Sequence, residues 1–306
     1  MLGNSWNQMM ETTKKLMDTT SLSELPDSYW TMDIEPQRSL FDLRLRELWQ
    51  YRDLVMLFVR RDFVAVYKQT VLGPLWYLIQ PLLTALTFTF IFGQVAQLPT
   101  DGLPQFLFYM SGTVIWSYFA ECLNKTSNTF VQNANLFGKV YFPRMAVPVS
   151  ILISNLITFA IQFILFLAFV LFFVLRGTEI EINGWWIALS PILILMMAGL
   201  GLGFGIIISS LTTKYRDLRF LVTFGVQLLM YATPVIYPVS SIPKRFQWII
   251  LANPMTPVVE AFRFAFLGVG TVNSLNLLYS FVFMLVVVFI GSIIFNLVEQ
   301  TFMDTV

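Results

Sequence analysis

Charged residues are scarce in this sequence. Its 306 residues include 19 Lys+Arg and 18 Asp+Glu, whereas a soluble domain of this length carries about a quarter charged residues, roughly 76. The charges leave six uncharged windows, which are 69–100, 102–120, 145–175, 182–213, 220–243 and 264–298. Each window has close to the roughly 20 residues that a helix needs to cross about 30 Å of hydrocarbon. The pattern excludes a soluble fold and predicts an all-α integral membrane protein with six transmembrane helices.

Histidine is absent, and cysteine occurs once, as Cys122. These absences exclude His-based catalytic triads, His-ligated metals, Cys-cluster metal sites and a disulfide within the chain. The net charge of +1 gives no electrostatic reason to expect nucleic acid as a partner. We therefore expect no metal, no cofactor bound by this chain and no catalytic residue.

The distribution of Lys and Arg predicts the orientation in the membrane, because cytoplasmic loops retain positive charge. Nine of these residues precede residue 69, and the loops after the second and fourth windows add three each, against four on the alternate side. This asymmetry places both termini in the cytoplasm. The predicted spans are about 72–93, 104–120, 146–175, 185–211, 218–237 and 275–297.

The N-terminal part has two expected segments. Residues 1–38 lack a sustained apolar period, and we expect a flexible cytoplasmic tail. In 39–68, apolar residues recur at helical spacing, with charged residues on the opposite face. This pattern predicts an amphipathic helix lying in the cytoplasmic membrane interface. The basic cluster at its end, which consists of Arg60, Arg61 and Lys68, would pair with lipid phosphates or hold the helix in place.

Two further segments have unusual composition. Gly199, Gly201, Gly203 and Gly205 form small-residue ridges suited to close helix packing, either within one chain or between two copies. Segment 238–273 contains a short uncharged stretch broken by prolines, and it predicts a re-entrant pair of short helices on the outer side. Glu260 and Arg263 lie three residues apart there. They would form an ion pair at membrane depth, or alternatively an ordinary surface pair.

Five motifs resemble the transmembrane subunits of ABC-type polysaccharide exporters, the permeases for O-antigen, capsule and teichoic acid. They are Arg60-Arg61-Asp62-Phe63 with Tyr67-Lys68, "LGPLWYLIQPLL" from Leu72, "VYFPRMAVPVS" at 140–150, "KYRDLRF" at 214–220 and "NPMTPVVEAFR" at 253–263. The resemblance covers about 50–300. It implies a six-span export permease in a bacterial inner membrane, working as two copies of the chain with two ATPase subunits. ATP and Mg would bind the ATPase subunits, and the cargo would be a lipid-linked polysaccharide.

This chain contains no G-x-x-x-x-G-K-[ST] motif, so ATP hydrolysis would require the separate subunit. The lack of charge within the six windows also argues against coupling to an ion gradient. By resemblance, the cytoplasmic loop 121–145 is the coupling segment for the ATPase, although a merely solvated loop is the alternative. The candidate contact residues are Asn124, Lys125, Asn128, Phe130, Asn133 and Leu136.

Aromatic residues are abundant, with 30 Phe, 8 Trp and 11 Tyr. Sugar rings stack on aromatic faces, so part of this excess would line a glycan conduit. The candidates are Trp76, Tyr77, Tyr109, Trp116, Tyr118, Phe119, Tyr231 and Tyr237. Packing in the core and anchoring at the membrane interface are the alternative roles for the same residues.

Three other functions remain compatible with parts of the sequence. The first is an ATP-driven exporter of drugs or lipids with the same fold. The second is a membrane-embedded glycosyl- or acyltransferase, which the lack of histidine and of a convincing acidic pair disfavours. The third is an ion-coupled flippase or a channel. The resemblance favours polysaccharide export over all three.

Overall fold

The computed structural model describes residues 45–68, 72–140, 142–215 and 217–305, which form helices joined by turns, with no strand among them. The all-α prediction is confirmed. The predicted tail, 1–38, and the first residues of the predicted interfacial helix lie outside the described residues.

Thirteen α-helices are found in the described ranges. They are α1 (Leu45–Gln50), α2 (Arg52–Lys68), α3 (Trp76–Phe88), α4 (Gln105–Thr126), α5 (Thr129–Gln132), α6 (Ala134–Phe137), α7 (Ala146–Leu175), α8 (Gly184–Ala188), α9 (Ser190–Thr212), α10 (Leu218–Tyr231), α11 (Lys244–Leu251), α12 (Met255–Leu267) and α13 (Ser274–Thr305). A 3-10 turn at Gly73–Leu75 leads into α3, and a π-helical segment at Thr89–Val95 extends it.

Four helical segments of the described chain are long and apolar enough to cross a membrane. They are Gly73–Val95, Ala146–Leu175, Ser190–Thr212 and Ser274–Glu299. Their lengths of 23, 30, 23 and 26 residues satisfy the roughly 20 residues that a bilayer requires. This protein is therefore a multi-pass membrane protein.

The remaining two predicted spans correspond to helices of a different character. Helix α4 has 22 residues, but it mixes hydroxyl and charged side chains with its apolar ones. It also continues to Thr126, six residues past the predicted end. Helix α10 has only 14 residues, about 21 Å at 1.5 Å per residue. It ends at Tyr231, whereas the prediction extended to residue 237, because Pro234 and Pro238 follow and cannot continue a helix.

Helix α4 lies at the centre of the larger apolar core. Fifteen of its 22 residues are buried, and it packs against α3, α7 and α9. A second, smaller core joins α2 to the segment before α7 and to α13, through residues that include Val55, Phe58, Phe142 and Phe295. The first core positions the helices that line the site described below.

The four glycines of α9 pack within this chain. A Cβ at Gly201 or Gly205 would come within 2.8 Å of Cys122 Cβ or 2.5 Å of Thr126 Cβ on α4. On the opposite face, a Cβ at Gly203 would lie 2.9 Å from the backbone nitrogen of Val288 on α13. Only glycine permits these approaches, since real Cβ atoms do not come so close. Helix α9 is thus held between α4 and α13.

We predict that Gly203→Ala destabilises the protein, because the new Cβ meets the backbone of α13, which cannot rotate away. Overpacking of this kind costs about 1–3 kcal/mol, which corresponds to a decrease of roughly 2–10 °C in Tm. Thermal unfolding in detergent would measure it. The matched control is Gly225→Ala on α10, where no atom lies within 4 Å of the added Cβ. A Gly203→Ala protein as stable as this control would contradict the packing.

Candidate functional site

Three helices carry polar side chains at helical spacing within otherwise apolar sequence. On α3 they are Tyr77, Gln80 and Thr84, on α4 they are Thr113, Ser117, Glu121 and Lys125, and on α7 they are Asn155, Thr158 and Gln162. Steps of three and four residues place each set along one face of its helix. The three polar faces therefore form three stripes along the helices.

These stripes meet at one cavity of about 310 Å³. Its lining consists of Tyr77, Gln80, Pro81, Thr84, Thr113, Trp116, Ser117, Tyr118, Glu121, Lys125, Asn155, Thr158, Phe159, Gln162 and Met230. Polar groups inside a membrane domain are costly unless they find partners. A cavity lined by so many of them is consequently a candidate binding site.

Hydrogen bonds join α4 and α7 across the cavity. Lys125 Nζ donates to Asn155 Oδ1 at 2.8 Å and forms an ion pair with Glu121 Oε2 at 3.1 Å. Farther along, Ser117 Oγ donates to Gln162 Oε1 at 3.0 Å. The two charged residues of the lining neutralise each other, so the lining carries no net charge.

Aromatic side chains form one wall of the cavity. The rings of Tyr118 and Phe159 are 5.1 Å apart between centroids, and Trp116 packs against Phe119 at 5.2 Å. Trp116 and Tyr118 are largely buried, with 6% and 4% of their surface exposed. Packing against their neighbours fixes the orientation of these rings at the cavity.

The predicted conduit residues separate into two groups. Tyr77, Trp116 and Tyr118 line the cavity, and Phe119 supports Trp116 from behind. The others lie elsewhere: Trp76 is exposed on the outside of α3, and Tyr109 is buried beside Phe88, Phe92 and Phe108. Tyr237 donates its hydroxyl to the Tyr231 carbonyl at 2.9 Å, and Tyr231 itself is exposed.

Sequence reasoning missed the polar residues of α7. Its criteria were charge and aromatic content, and Asn155, Thr158 and Gln162 are neither charged nor aromatic. The signal was nevertheless present, because these residues occupy positions i, i+3 and i+7 of a 30-residue apolar helix. A search for polar periodicity within apolar windows would have found them.

Arg263 and Glu260 lie in α12 and are buried, with side-chain exposures of 1% and 3%. The alternative of an ordinary surface pair is therefore wrong. Arg263 Nη1 is 3.6 Å from Glu260 Oε1, and its guanidinium carbon lies 3.9 Å from the centroid of the Phe108 ring on α4. Glu260 Oε2 accepts hydrogen bonds from the backbone N–H and the hydroxyl of Thr271.

The other hydrogen bonds of Arg263 reach two separate parts of the chain. Its Nη2 donates to the Val235 carbonyl at 2.7 Å, its Nη1 donates to the Pro234 carbonyl, and its Nε donates to Ser111 Oγ at 3.3 Å. One buried cation thus connects α12, α4 and the turn that follows α10.

The 121–145 segment differs from its prediction at two residues. Phe130 is completely buried and stacks on Phe295 of α13 at 4.6 Å, so its side chain supports the segment and is not available to a partner. Lys125 belongs to α4 and faces the cavity. Asn128 and Asn133 each donate to a backbone carbonyl four residues earlier, those of Asn124 and Thr129.

The exposed surface of the 121–145 segment is formed mainly by residues that were not predicted as ATPase contacts. Of the predicted residues, Leu136 is partly exposed. After α4, the exposed side chains of the segment are Gln132, Asn135, Lys139 and Val140. Arg144, at the end of the segment, donates to the Glu299 carbonyl at 2.7 Å and lies over the Phe137 ring. Burial lowers the pKa of Arg144, and the Glu299 carboxylate opposes that shift.

The predicted basic cluster lies on α2. Arg60, Arg61 and Lys68 are all exposed, but Arg61 forms an ion pair with Asp62 at 2.8 Å and lies over the Phe58 ring at 4.9 Å. The positive charge that remains available to lipid phosphates is thus mainly that of Arg60 and Lys68.

Comparison with known proteins gives a consistent set of similarities. Residues 53–267 match the family described as ABC-2 type transporter. The O-antigen export system permease protein RfbA of Klebsiella pneumoniae is 30% identical over 254 residues, which cover 82% of this chain and 94% of the relative. RfbA of Myxococcus xanthus is 29% identical over 72% of this chain and 83% of the relative. The polysialic acid transport protein KpsM of Escherichia coli is 25% identical over 76% and 89%.

We predict that Arg263→Met strongly destabilises the fold, because it leaves the buried Glu260 carboxylate without its cation. Breaking a buried pair in this way costs about 3–5 kcal/mol. Protein abundance in membranes and thermal unfolding in detergent would measure the loss. Arg176→Met is the matched control, since Arg176 is exposed and its replacement should cost no more than about 0.5 kcal/mol. Equal stability of the two variants would show that Arg263 does not hold these helices together.

Proposed function

The chain belongs to the ABC-2 type transporter family, and on that premise we propose that it is the membrane-spanning subunit of an ATP-driven polysaccharide exporter. Its cargo is a glycan such as lipid-linked O-antigen, which it moves from the cytoplasm across the inner membrane. The relatives named O-antigen export permease match it over most of their length. Export of a polysaccharide requires a polar route through the apolar core of the bilayer.

The observation that carries this proposal is the polar and aromatic cavity. Amides and hydroxyls of α3, α4 and α7 supply hydrogen-bonding groups of both kinds, and Trp116 and Tyr118 supply ring surfaces. Sugars need this combination, because their hydroxyls form hydrogen bonds while their C–H faces pack on rings. A lining without net charge suits a neutral glycan and gives no means of proton or ion coupling.

We further propose that α4 and α10 complete a six-span domain with both termini in the cytoplasm. The 22 residues of α4 span about 33 Å at 1.5 Å per residue, and its polar face turns toward the cavity and away from lipid. Helix α10 is short, but the turn at 232–235 lies at its end and is held inside the protein by Arg263. Fifteen Lys and Arg on one side against four on the other support this orientation.

A second copy of the chain completes the transport unit in this proposal. The faces of α3 and α10 that remain uncovered carry polar side chains, including Thr87 and Gln227. Lipid cannot form hydrogen bonds with these groups. An equivalent face of a second protomer can, and it would enclose a wider passage between the two copies.

The ATPase subunit would dock on the exposed part of the 121–145 segment. Gln132, Asn135 and Lys139 are exposed there, while Phe130 and Phe137 anchor the segment to α13 and to Phe142. A displacement of this surface would therefore be transmitted to the transmembrane helices through these packed aromatic rings.

Cells that lack this chain should retain their polysaccharide inside, and the wild-type chain should restore export. Trp116→Leu should export about tenfold more slowly, since the loss of one ring contact amounts to about 1.4 kcal/mol. Surface glycan, normalised to permease abundance, measures the rate. Trp185→Leu is the control, because Trp185 is 73% exposed on α8. Unchanged glycan export in the absence of the chain would refute the proposed function.

Asn135→Arg should reduce copurification of the ATPase without changing thermal stability, because Asn135 is exposed and supports no core contact. We expect about a tenfold loss of association, which corresponds to about 1.4 kcal/mol, because the long charged side chain would occupy the docking surface. Glu179→Arg, at an exposed position between α7 and α8, is the control on the opposite side. Normal ATPase copurification by Asn135→Arg would place the docking surface elsewhere.

A further inference from the structure

The cavity retains hydrogen-bonding capacity that the protein itself does not use. Gln162 is 92% buried, since only 8% of its surface is exposed. Its amide makes one hydrogen bond, with Ser117 Oγ, and the other polar atom of the amide has no partner within the described part of the chain. The Thr158 hydroxyl and the Gln80 amide also line the cavity without a side-chain partner among the described residues. A polar atom that faces the cavity without a protein partner can form a hydrogen bond with a ligand or with water.

The charge of the cavity restricts what that ligand can be. Glu121 and Lys125 are the two charged residues of the lining; their side chains are about half exposed, and their ion pair at 3.1 Å leaves the lining without net charge. Lys125 also donates to Asn155, which holds its ammonium group against the wall. An anionic ligand would meet the Glu121 carboxylate and would have to displace Lys125 from two partners. The lining therefore favours an uncharged ligand.

The size of the cavity restricts the ligand further. At about 310 Å³, it is close to the lower limit of about 300 Å³ for ligand pockets. This volume holds a single sugar ring and does not hold a polymer. A polymer bound here would therefore place about one unit in the cavity and extend beyond it.

We propose that the cavity is a subsite for one uncharged sugar residue of the exported chain. The Gln162, Gln80 and Thr158 side chains form hydrogen bonds with its hydroxyls, Trp116 and Tyr118 contact its ring, and the Glu121–Lys125 pair excludes charged residues. This subsite rests on the proposed function. It adds a place where each protomer retains the glycan between transport steps.

Photocrosslinking in cells that make the native glycan tests the location. A benzophenone amino acid at Thr158 should give a glycan-bearing permease, which an increase in mass and staining for carbohydrate would detect. The same group at Ile164 is the control, because Ile164 lies on the same helix and is 67% exposed outside the cavity. If the Thr158 variant does not assemble, Thr84 on α3 is the second position.

Glycan attached at Thr158 or Thr84 but not at Ile164 supports the subsite. No adduct at the cavity positions, or equal adduct at Ile164, overturns it when those variants still export. Failure of the proposed function would look different, since export would then persist in cells that lack the chain altogether.

A double-mutant cycle of Glu121 and Lys125 tests the proposed selectivity of the cavity for uncharged sugar residues. Glu121→Gln and Lys125→Gln each leave one unpaired charge in the cavity, and each should slow export of an uncharged glycan about tenfold, which corresponds to about 1.4 kcal/mol. The double variant is neutral again and should recover to within about threefold of wild type. A merely structural ion pair predicts instead that the double variant is as impaired as either single one. That result would overturn the role of the pair in selectivity.

Discussion

Lipid offers no hydrogen bonds, and this constraint determines where polar residues can lie in the protein. Most buried hydroxyls satisfy it locally, as when Ser111, Ser150 and Ser210 donate to carbonyls three or four residues earlier in their own helices. Arg263 satisfies it over a longer range through carbonyls, a hydroxyl and a carboxylate. The cavity between α3, α4 and α7 is where polar side chains of three helices are gathered inside the membrane domain. Such a departure is characteristic of a functional site.

Helix α4 connects the two polar regions of the molecule. Near its start, Phe108 and Ser111 contact Arg263, and near its end, Glu121 and Lys125 border the cavity. The same helix packs against the glycines of α9. A displacement of α4 along its axis would therefore disturb the Arg263 contacts and the cavity together, so the two ends of the protein are linked through one helix.

Much of the fold could be predicted from charge distribution, because uncharged windows correspond to long helices such as Ala146–Leu175. An uncharged window does not show where a helix ends within apolar sequence. Helix α10 ends at Tyr231 because Pro234 and Pro238 follow it, and the charge pattern does not reveal that end. The site was predicted only in part. Tyr77, Trp116 and Tyr118 were found as aromatics, but the polar face of α7 required knowledge of which helices are neighbours. Phe130 was misread because exposure in a loop is a tertiary property.

The glycines of α9 have a mechanical consequence. Gly203 approaches the backbone of α13, and Gly201 and Gly205 approach the Cβ atoms of Cys122 and Thr126, so these contacts cannot be relieved by a change of rotamer. Helices α4, α9 and α13 consequently pack as one unit within the protomer. By contrast, only 11% of the most apolar part of Gly73–Val95 is buried, and α10 buries a single residue, Val226. These two helices are therefore the less packed part of the described protomer, and a displacement of α3 would change the cavity that it lines from one side.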